Sequence, residues 1–187
     1  KQLKKNNQKT SVIGHAIISQ DCYIADSTGS MPFSLRSVAD WKLFQEDLNN
    51  SDLVVMGRSS YEKFPNNKRN RLIPTSQVSG YQMDDEICYF NPNDTPIDEV
   101  LLKYETYPEK IAIAGGQRVY QLIFEQFIYT EFHLSIKEGL KINEGVHMLK
   151  GLLELDDIDN YMKKNRMYQS DRRRLDSNTI QIKYSIY

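Results

Sequence analysis

Residues 111–124, IAIAGGQRVYQLIF, constrain this chain more than any other segment. Four apolar residues run straight into two glycines, and a helical pattern begins at once, with Val119, Leu122, Ile123 and Phe127 on one face. A buried strand that meets a helix through two bare residues implies a close approach to the backbone at that point. The approaching group is either another part of the protein or a ligand carrying phosphates or a flat ring. Junctions of this kind belong to α/β sheets, where ligands gather outside the carboxyl ends of strands, against the free N–H groups of helix N-termini.

The rest of the chain alternates in the same way. Residues 12–18 (VIGHAII), 53–56, 71–76, 86–90, 110–114 and 130–136 read as strands. Pro74 makes 71–76 an edge strand or one that ends early. Ser37 caps a helix that carries Asp40 in its first turn and Trp41, Phe44 and Leu48 along one face. Ser59 or Ser60 opens a short helix, and residues 95–104 form another. Residues 178–187 alternate as an antiparallel closing strand at the sheet's edge, with 161–171 as its hairpin partner. The expected fold is α/β: one domain over residues 12–187 with a mixed, mostly parallel central sheet flanked by helices, behind a polar tail at 1–11.

Composition excludes several function classes. The net charge of −1 argues for neither nucleic acid nor an anionic membrane, and Arg172, Arg173 and Arg174 read as a solvated turn or strand end. No apolar run approaches the roughly 18 residues of a membrane span, and the basic opening lacks the apolar core of a secretory signal. Cys22 and Cys88 have no metal-ligand spacing and fit a reducing compartment, so a cytoplasmic location is expected. A monomer is expected as well. His15, His133 and His147 lie far apart in sequence and read as packed or surface imidazoles, with no metal expected.

Two junctions carry the chemistry: Gly57 with Arg58, Ser59 and Ser60, and Gly115 with Gly116, Gln117, Arg118 and Val119. Glycine lets a phosphate reach the helix amides, and a guanidinium can hold it by two parallel bonds. Neither junction matches the GxGxxG fingerprint. From spacing alone, tight turns with close helix–strand packing explain both sites as well as a nucleotide does.

The order of the pieces decides more. An MPF loop, Asp40 with Phe44, VVMGRSSYE, Arg69 ahead of RLIPTS, IAGGQRVY and FHLSI together resemble the dihydrofolate reductases over residues 12–136. The pyrimidine reductases of riboflavin synthesis share the fold and the glycine pair and are the natural rival. A nucleotide-binding relative without turnover is the alternative outside enzymes.

The resemblance implies NADPH-dependent reduction of 7,8-dihydrofolate to tetrahydrofolate. Asp40 would hold the pterin through a ring nitrogen and its amino group, as the only ionisable group in an apolar pocket, and would assist protonation. Ser135 would hydrogen-bond that acid. Ala16, Ile17, Phe44, Phe64 and Tyr120 would touch the substrate, with Tyr120 near the nicotinamide, and Arg69 (or, failing that, Arg71) would grip the glutamate carboxylate. Arg58, Ser59 and Ser60 would take NADPH phosphates, and Thr75 and Ser76 the 2′-phosphate region. Gly57, Gly115 and Gly116 would admit the cofactor over Gln117, Arg118 and Val119, and the Gly115–Gly116 bond would be cis. Residues 19–33 would form a mobile lid touching the cofactor through Ile24 and Met31. Departures from the family are the longer stretch between Pro32 and Asp40, Phe33 in place of the lid tryptophan, the short FPNNK turn, and EGVH where an acidic turn supports the lid.

Overall fold

The first strand is buried on both faces from Gly14 onward, the burial of a strand inside a sheet covered by helices on either side. The computed structural model describes residues 10–63 and 68–187. In chain order its elements are β1 (Ser11–Ser19), β2 (Tyr23–Asp26), a 3-10 turn (Phe33–Leu35), α1 (Val38–Asn49), β3 (Leu53–Met56), α2 (Arg58–Lys63), β4 (Arg71–Pro74), β5 (Tyr81–Asp84), β6 (Ile87–Phe90), α3 (Ile97–Leu101), β7 (Lys110–Gly115), α4 (Gln117–Gln126), β8 (Glu131–Lys137), β9 (Gly145–His147), α5 (Leu155–Lys164), β10 (Met167–Asp176) and β11 (Thr179–Ile186). Nine strands form one sheet in the order β10-β11-β8-β1-β7-β3-β4-β6-β5, and β2 pairs with β9 apart from it. The pairs from β8 through β1, β7, β3 and β4 to β6 are parallel, while β10–β11, β11–β8 and β5–β6 are antiparallel. The fold is therefore the expected α/β type, with a mixed, mostly parallel sheet.

The main core lies on the sheet face that carries Val12, Ala16 and Ile18 and packs them against α4 and α5. Gly14 faces the same way because Phe132 and Tyr129, both almost fully buried, fill the space above it. A Cβ built there would stand 2.7 Å from Tyr129 Cε1 and closer still to the Phe132 ring. Gly14→Ala is expected to destabilise the protein by about 1–3 kcal/mol, because two enclosed rings would have to shift. A denaturation midpoint equal to that of the wild type would show that those rings yield freely.

Several boundaries differ from the expectation. The closing strand β11 is one place in from the edge, and β10 is the edge itself. Residues 161–164 belong to α5, whose start is fixed by Asp157 accepting from the Leu153 and Glu154 amides and whose buried face holds Ile158 and Met162. The hairpin partner therefore begins at Met167. Its exposed Arg172, Arg173 and Arg174 are the charged rim that discourages another strand from adding there. β4 is not an edge strand; it lies between β3 and β6 and stops at Pro74. Among the described residues no helix is long and apolar enough to cross a membrane.

Candidate active site

Helix α1 opens on Ser37, whose hydroxyl accepts from the Asp40 amide at 3.2 Å and donates to Asp176 Oδ2 at 2.6 Å. This cap fixes the first turn and turns Asp40, Phe44 and Asp47, spaced i, i+4 and i+7, toward the sheet. The opposing surface comes from β1 and β8, which pair in parallel with His15 opposite His133 and Ile17 opposite Ser135. The side-chain period of two puts His15 and Ile17 on the same face as Glu131, His133 and Ser135.

Asp40 is only 5% exposed, and its Oδ1 accepts twice, from Ser135 Oγ at 2.5 Å and from His15 Nε2 at 3.1 Å. Ser135 thus stands where the resemblance put it. His15 was not foreseen, and it changes the pocket. Asp40 is not the only ionisable group there, and the imidazole also stacks on Phe44, with centroids 4.6 Å apart and planes 12° from parallel. The carboxylate and the ring face that the resemblance gives to a pterin are both engaged by one histidine. The polar network extends outward: Gln181 Nε2 donates to Ser135 Oγ at 3.4 Å, and Arg173 donates to Gln181 Oε1 through Nε and Nη2.

His133 bridges two carboxylates, Asp47 at 3.3 Å and Glu131 at 2.9 Å. Burial works against its charged form, but the bonds and charges of Asp47 and Glu131 outweigh burial and raise it above the ordinary imidazole value. Burial likewise opposes ionised Asp47, and His133 overcomes this, leaving Asp47 below the usual carboxylate value.

The two glycine junctions lie side by side at the carboxyl ends of β3 and β7, where the Gly57 amide donates to Gly115 O at 2.9 Å. The Gly115–Gly116 bond is cis. The glycines are bare for different reasons. Gly115 has φ +92°, and a Cβ there would overlap the Tyr120 hydroxyl, so this close approach comes from the protein itself. Among the described residues a Cβ on Gly116 would meet only Ile24 Cδ1, at 3.7 Å, and one on Gly57 would make ordinary contacts, so neither is forced by packing. Gly116 also begins α4 without a side-chain cap, which leaves the amides of Gln117, Arg118 and Val119 as the open N-terminus. This cradle fits a phosphate-bearing cofactor.

Tyr120 is buried, and its hydroxyl donates to His15 O at 2.6 Å; burial, with Asp40's charge adding to it, pushes that hydroxyl well above the ordinary phenol value. Its side chain pins α4 to β1 and does not line a cleft. Ala16 likewise points into the core on the opposite face from His15, so its side chain does not join Asp40, whereas Ile17 shares the face of His15 and lies opposite Ser135. Val119 is buried, while Arg118 and Ser59 are exposed and Ser60 half-buried. Arg58 is held by Glu62 through Nε at 2.9 Å. Thr75 and Ser76 follow β4 beside this junction, with Thr75 Oγ1 accepting from the Gln77 amide.

Arg69 lies against α1, where its Nη2 donates to Gln45 Oε1 at 3.0 Å and Asn49 Oδ1 at 2.6 Å. It lines a groove of about 710 Å³ with Leu48, Asp52, Tyr104 and Tyr107. Burial, and then the neighbouring Arg71 charge, lower its pKa from the usual guanidinium value. Arg71 is neither a surface charge nor beside Arg69's partners: it is 2% exposed, with its guanidinium 5.0 Å over the Tyr61 ring and Nε donating to Arg69 O. Phe64, expected to touch the substrate, lies outside the described residues.

The stretch 19–33 is more firmly tied than a free lid. β2 pairs with β9, Tyr23 stacks on His147 at 4.0 Å, and Asp21 accepts from the Ile142 and Asn143 amides. Gly145 in the EGVH segment is required because a Cβ there would collide with Ala25 O. Gln117 Nε2 donates to His147 O at 3.0 Å, linking the same strand to α4. Ile24 reaches the glycine pair, whereas Met31 and Phe33 stay exposed at the tip, Phe33 at 83%.

No family model matches the chain, and no curated protein matches it. Solved structures do. A Shewanella sp. PV-4 protein assigned to riboflavin biosynthesis has TM-score 0.66 at 13% identity, covering 94% of this chain and 98% of its own. The Thermotoga maritima diaminohydroxyphosphoribosylaminopyrimidine deaminase/5-amino-6-(5-phosphoribosylamino)uracil reductase has TM-score 0.63 at 12% identity over 96% of this chain; this chain spans 57% of that protein. Enterococcus faecalis dihydrofolate reductase, complexed with NADP(H) and RAB-propyl, has TM-score 0.65 at 15% identity, covering 95% and 96%. The chain has a dihydrofolate reductase-like fold, and two of these three neighbours are reductases, one of them a deaminase/reductase.

Proposed function

We propose that the chain is an NADPH-dependent reductase that takes 7,8-dihydrofolate to 5,6,7,8-tetrahydrofolate. The observation that carries this reading is the buried Asp40 carboxylate, fixed by Ser135 on β8, with β1 between that strand and the open Gly116 junction at the end of β7. Two neighbouring strand spacings amount to about 10 Å, enough for a nicotinamide and a substrate ring to meet face to face. NADPH, when bound, supplies hydride from its nicotinamide C4 to pterin C6. The chain's own work is to align the rings, exclude water and pass a proton toward N5, directly or through water, with Asp40 as the group that holds or directs it. Arg69 sits nine residues along α1 from Asp40 through its partner Asn49, about 14 Å at helical rise, where an extended substrate tail would end.

The α4 N-terminus would hold the pyrophosphate, and Arg58, with Ser59, Ser60, Thr75 and Ser76, would reach the 2′-phosphate that NADPH carries and NADH lacks. Among the described residues Glu62 engages Arg58 through Nε, which leaves the two Nη groups for an anion. Arg58→Ala is expected to weaken NADPH by about tenfold, the lower end for a charge-assisted bond at a half-exposed site, while NADH changes little. Equal losses for both nucleotides would make Arg58 structural.

A second reading is reduction of a phosphoribosylamino-pyrimidine. His15 favours it, because a pterin must displace this ring from both Asp40 and Phe44. The separating experiment follows NADPH consumption with each substrate in turn. Turnover of dihydrofolate supports the first reading; turnover of the pyrimidine alone supports the second; tight NADPH binding without either identifies a non-catalytic relative.

A further inference from the structure

β1 and β8 set two histidines opposite each other, and each turns Nε2 to a carboxylate: His15 to Asp40 at 3.1 Å, His133 to Glu131 at 2.9 Å. An ionised carboxylate only accepts, so each Nε2 carries hydrogen and each neutral ring keeps its lone pair at Nδ1. His133 Nδ1 stands 3.3 Å from Asp47 Oδ2. His15 is 95% buried, and its Nδ1 has no hydrogen-bond partner among the described residues. His15, Asp47 and His133 each bring a donor atom within 4.8 Å of the other two. We infer that these three residues bind one divalent transition ion of the zinc class, through His15 Nδ1, His133 Nδ1 and an Asp47 carboxylate oxygen.

Three features favour an ion over an ion pair alone. A proton shared by His133 and Asp47 satisfies those two groups and leaves His15 Nδ1 enclosed without a partner; a cation that replaces this proton serves all three. The 3.3 Å between His133 Nδ1 and Asp47 Oδ2 equals the edge of a tetrahedron with bonds of about 2.0–2.1 Å, so those two ligands need little movement. The Asp40 and Glu131 carboxylates are the outer partners that metal-bound imidazoles almost always have, and they fix both rings in the tautomer that leaves Nδ1 to the ion. Two imidazoles and one carboxylate suit zinc, cobalt(II) or iron(II) better than magnesium or calcium. The Asp47 side chain is 31% exposed, which gives the ion a route in and a position for water. This site does not depend on the reductase reading, although an ion there would hold His15 against Asp40.

The test is titration of the chelator-treated full chain with Co(II) alone and with Zn(II) alone, read by cobalt ligand-field absorption and calorimetry. One equivalent is expected to bind, with a raised melting temperature. Asp47→Asn and His133→Gln are expected to weaken binding at least about tenfold, and Glu131→Gln by about 10–100-fold through loss of the outer partner. His147→Gln, on β9, is expected to bind as the wild type does. Circular dichroism of the metal-free variants checks that each is folded. The proposal is overturned if the wild type takes up no stoichiometric ion at micromolar metal. It is also overturned if folded His133→Gln binds as tightly as the wild type, or if binding is lost with His147→Gln instead.

Discussion

Asp40→Asn is expected to slow NADPH-dependent dihydrofolate reduction at pH 7 by about 10²–10⁴-fold, the range for loss of a positioned proton-transfer group. The substitution is nearly isosteric, and an amide oxygen can still accept from Ser135 and His15, so the α1–sheet contact survives. What disappears is a negative charge able to hold or direct a proton beside the substrate. Cofactor affinity should stay near the wild-type value, because the Gly57 and Gly116 junctions lie at the ends of β3 and β7 and, among the described residues, share no hydrogen bond with Asp40. Activity should recover partly as pH falls, since a substrate already protonated by solvent no longer needs the carboxylate. Stopped-flow measurement of NADPH oxidation at pH 7 and at lower pH reads both effects. An unchanged rate at pH 7 removes Asp40 from the chemistry.

Local patterns carried most of the fold. The apolar runs at β1, β3, β7 and β8 and the cap at Ser37 are set by neighbouring residues and could be read directly. Misreadings arose where tertiary context overrides local pattern. Pro74 suggested a strand at the edge or one that ends early; the strand does end at Pro74 but is interior, where a proline at its last residue costs little. The charged run hid the second half of β10, from Arg172 to Asp176, because an exposed edge strand needs no apolar alternation on its outer positions. Trp41 shared a helical stripe with Phe44 and Leu48, yet α1 turns Asp40, Phe44 and Asp47 inward and leaves Trp41 at the rim, 57% exposed. The glycine pair was legible as a close approach, but the sequence could not say that Tyr120 accounts for Gly115 and that only Gly116 has room. The largest omission was the His15–His133 pair. These residues are 118 apart, and only the parallel register of β1 against β8 brings them together. One signal was available: Glu131, His133 and Ser135 alternate, which puts three polar groups on one face of a strand otherwise buried.

His15→Ala is expected to strengthen binding of a pterin or a 2,4-diaminopyrimidine by about 10–100-fold, if such rings are what Asp40 reads. The argument is one of competition. An amidine edge needs both carboxylate oxygens, and Oδ1 already accepts from Ser135 and His15, while the imidazole covers the Phe44 face where the ring would stack. Releasing a hydrogen bond to a charged group is worth about 1.5–3 kcal/mol, and each 1.4 kcal/mol is tenfold in affinity. The truncation also leaves a cavity between α1 and β1, so the free variant should melt lower than the wild type, and a bound ring that fills the space should restore more of that loss than it adds to the wild type. Calorimetry on both proteins, with NADPH present, measures the difference. If the variant binds these rings no better, they do not approach Asp40 and the folate reading falls. If it also loses turnover of a phosphoribosylamino-pyrimidine that the wild type reduces, then His15 is a substrate contact and the second reading replaces the first.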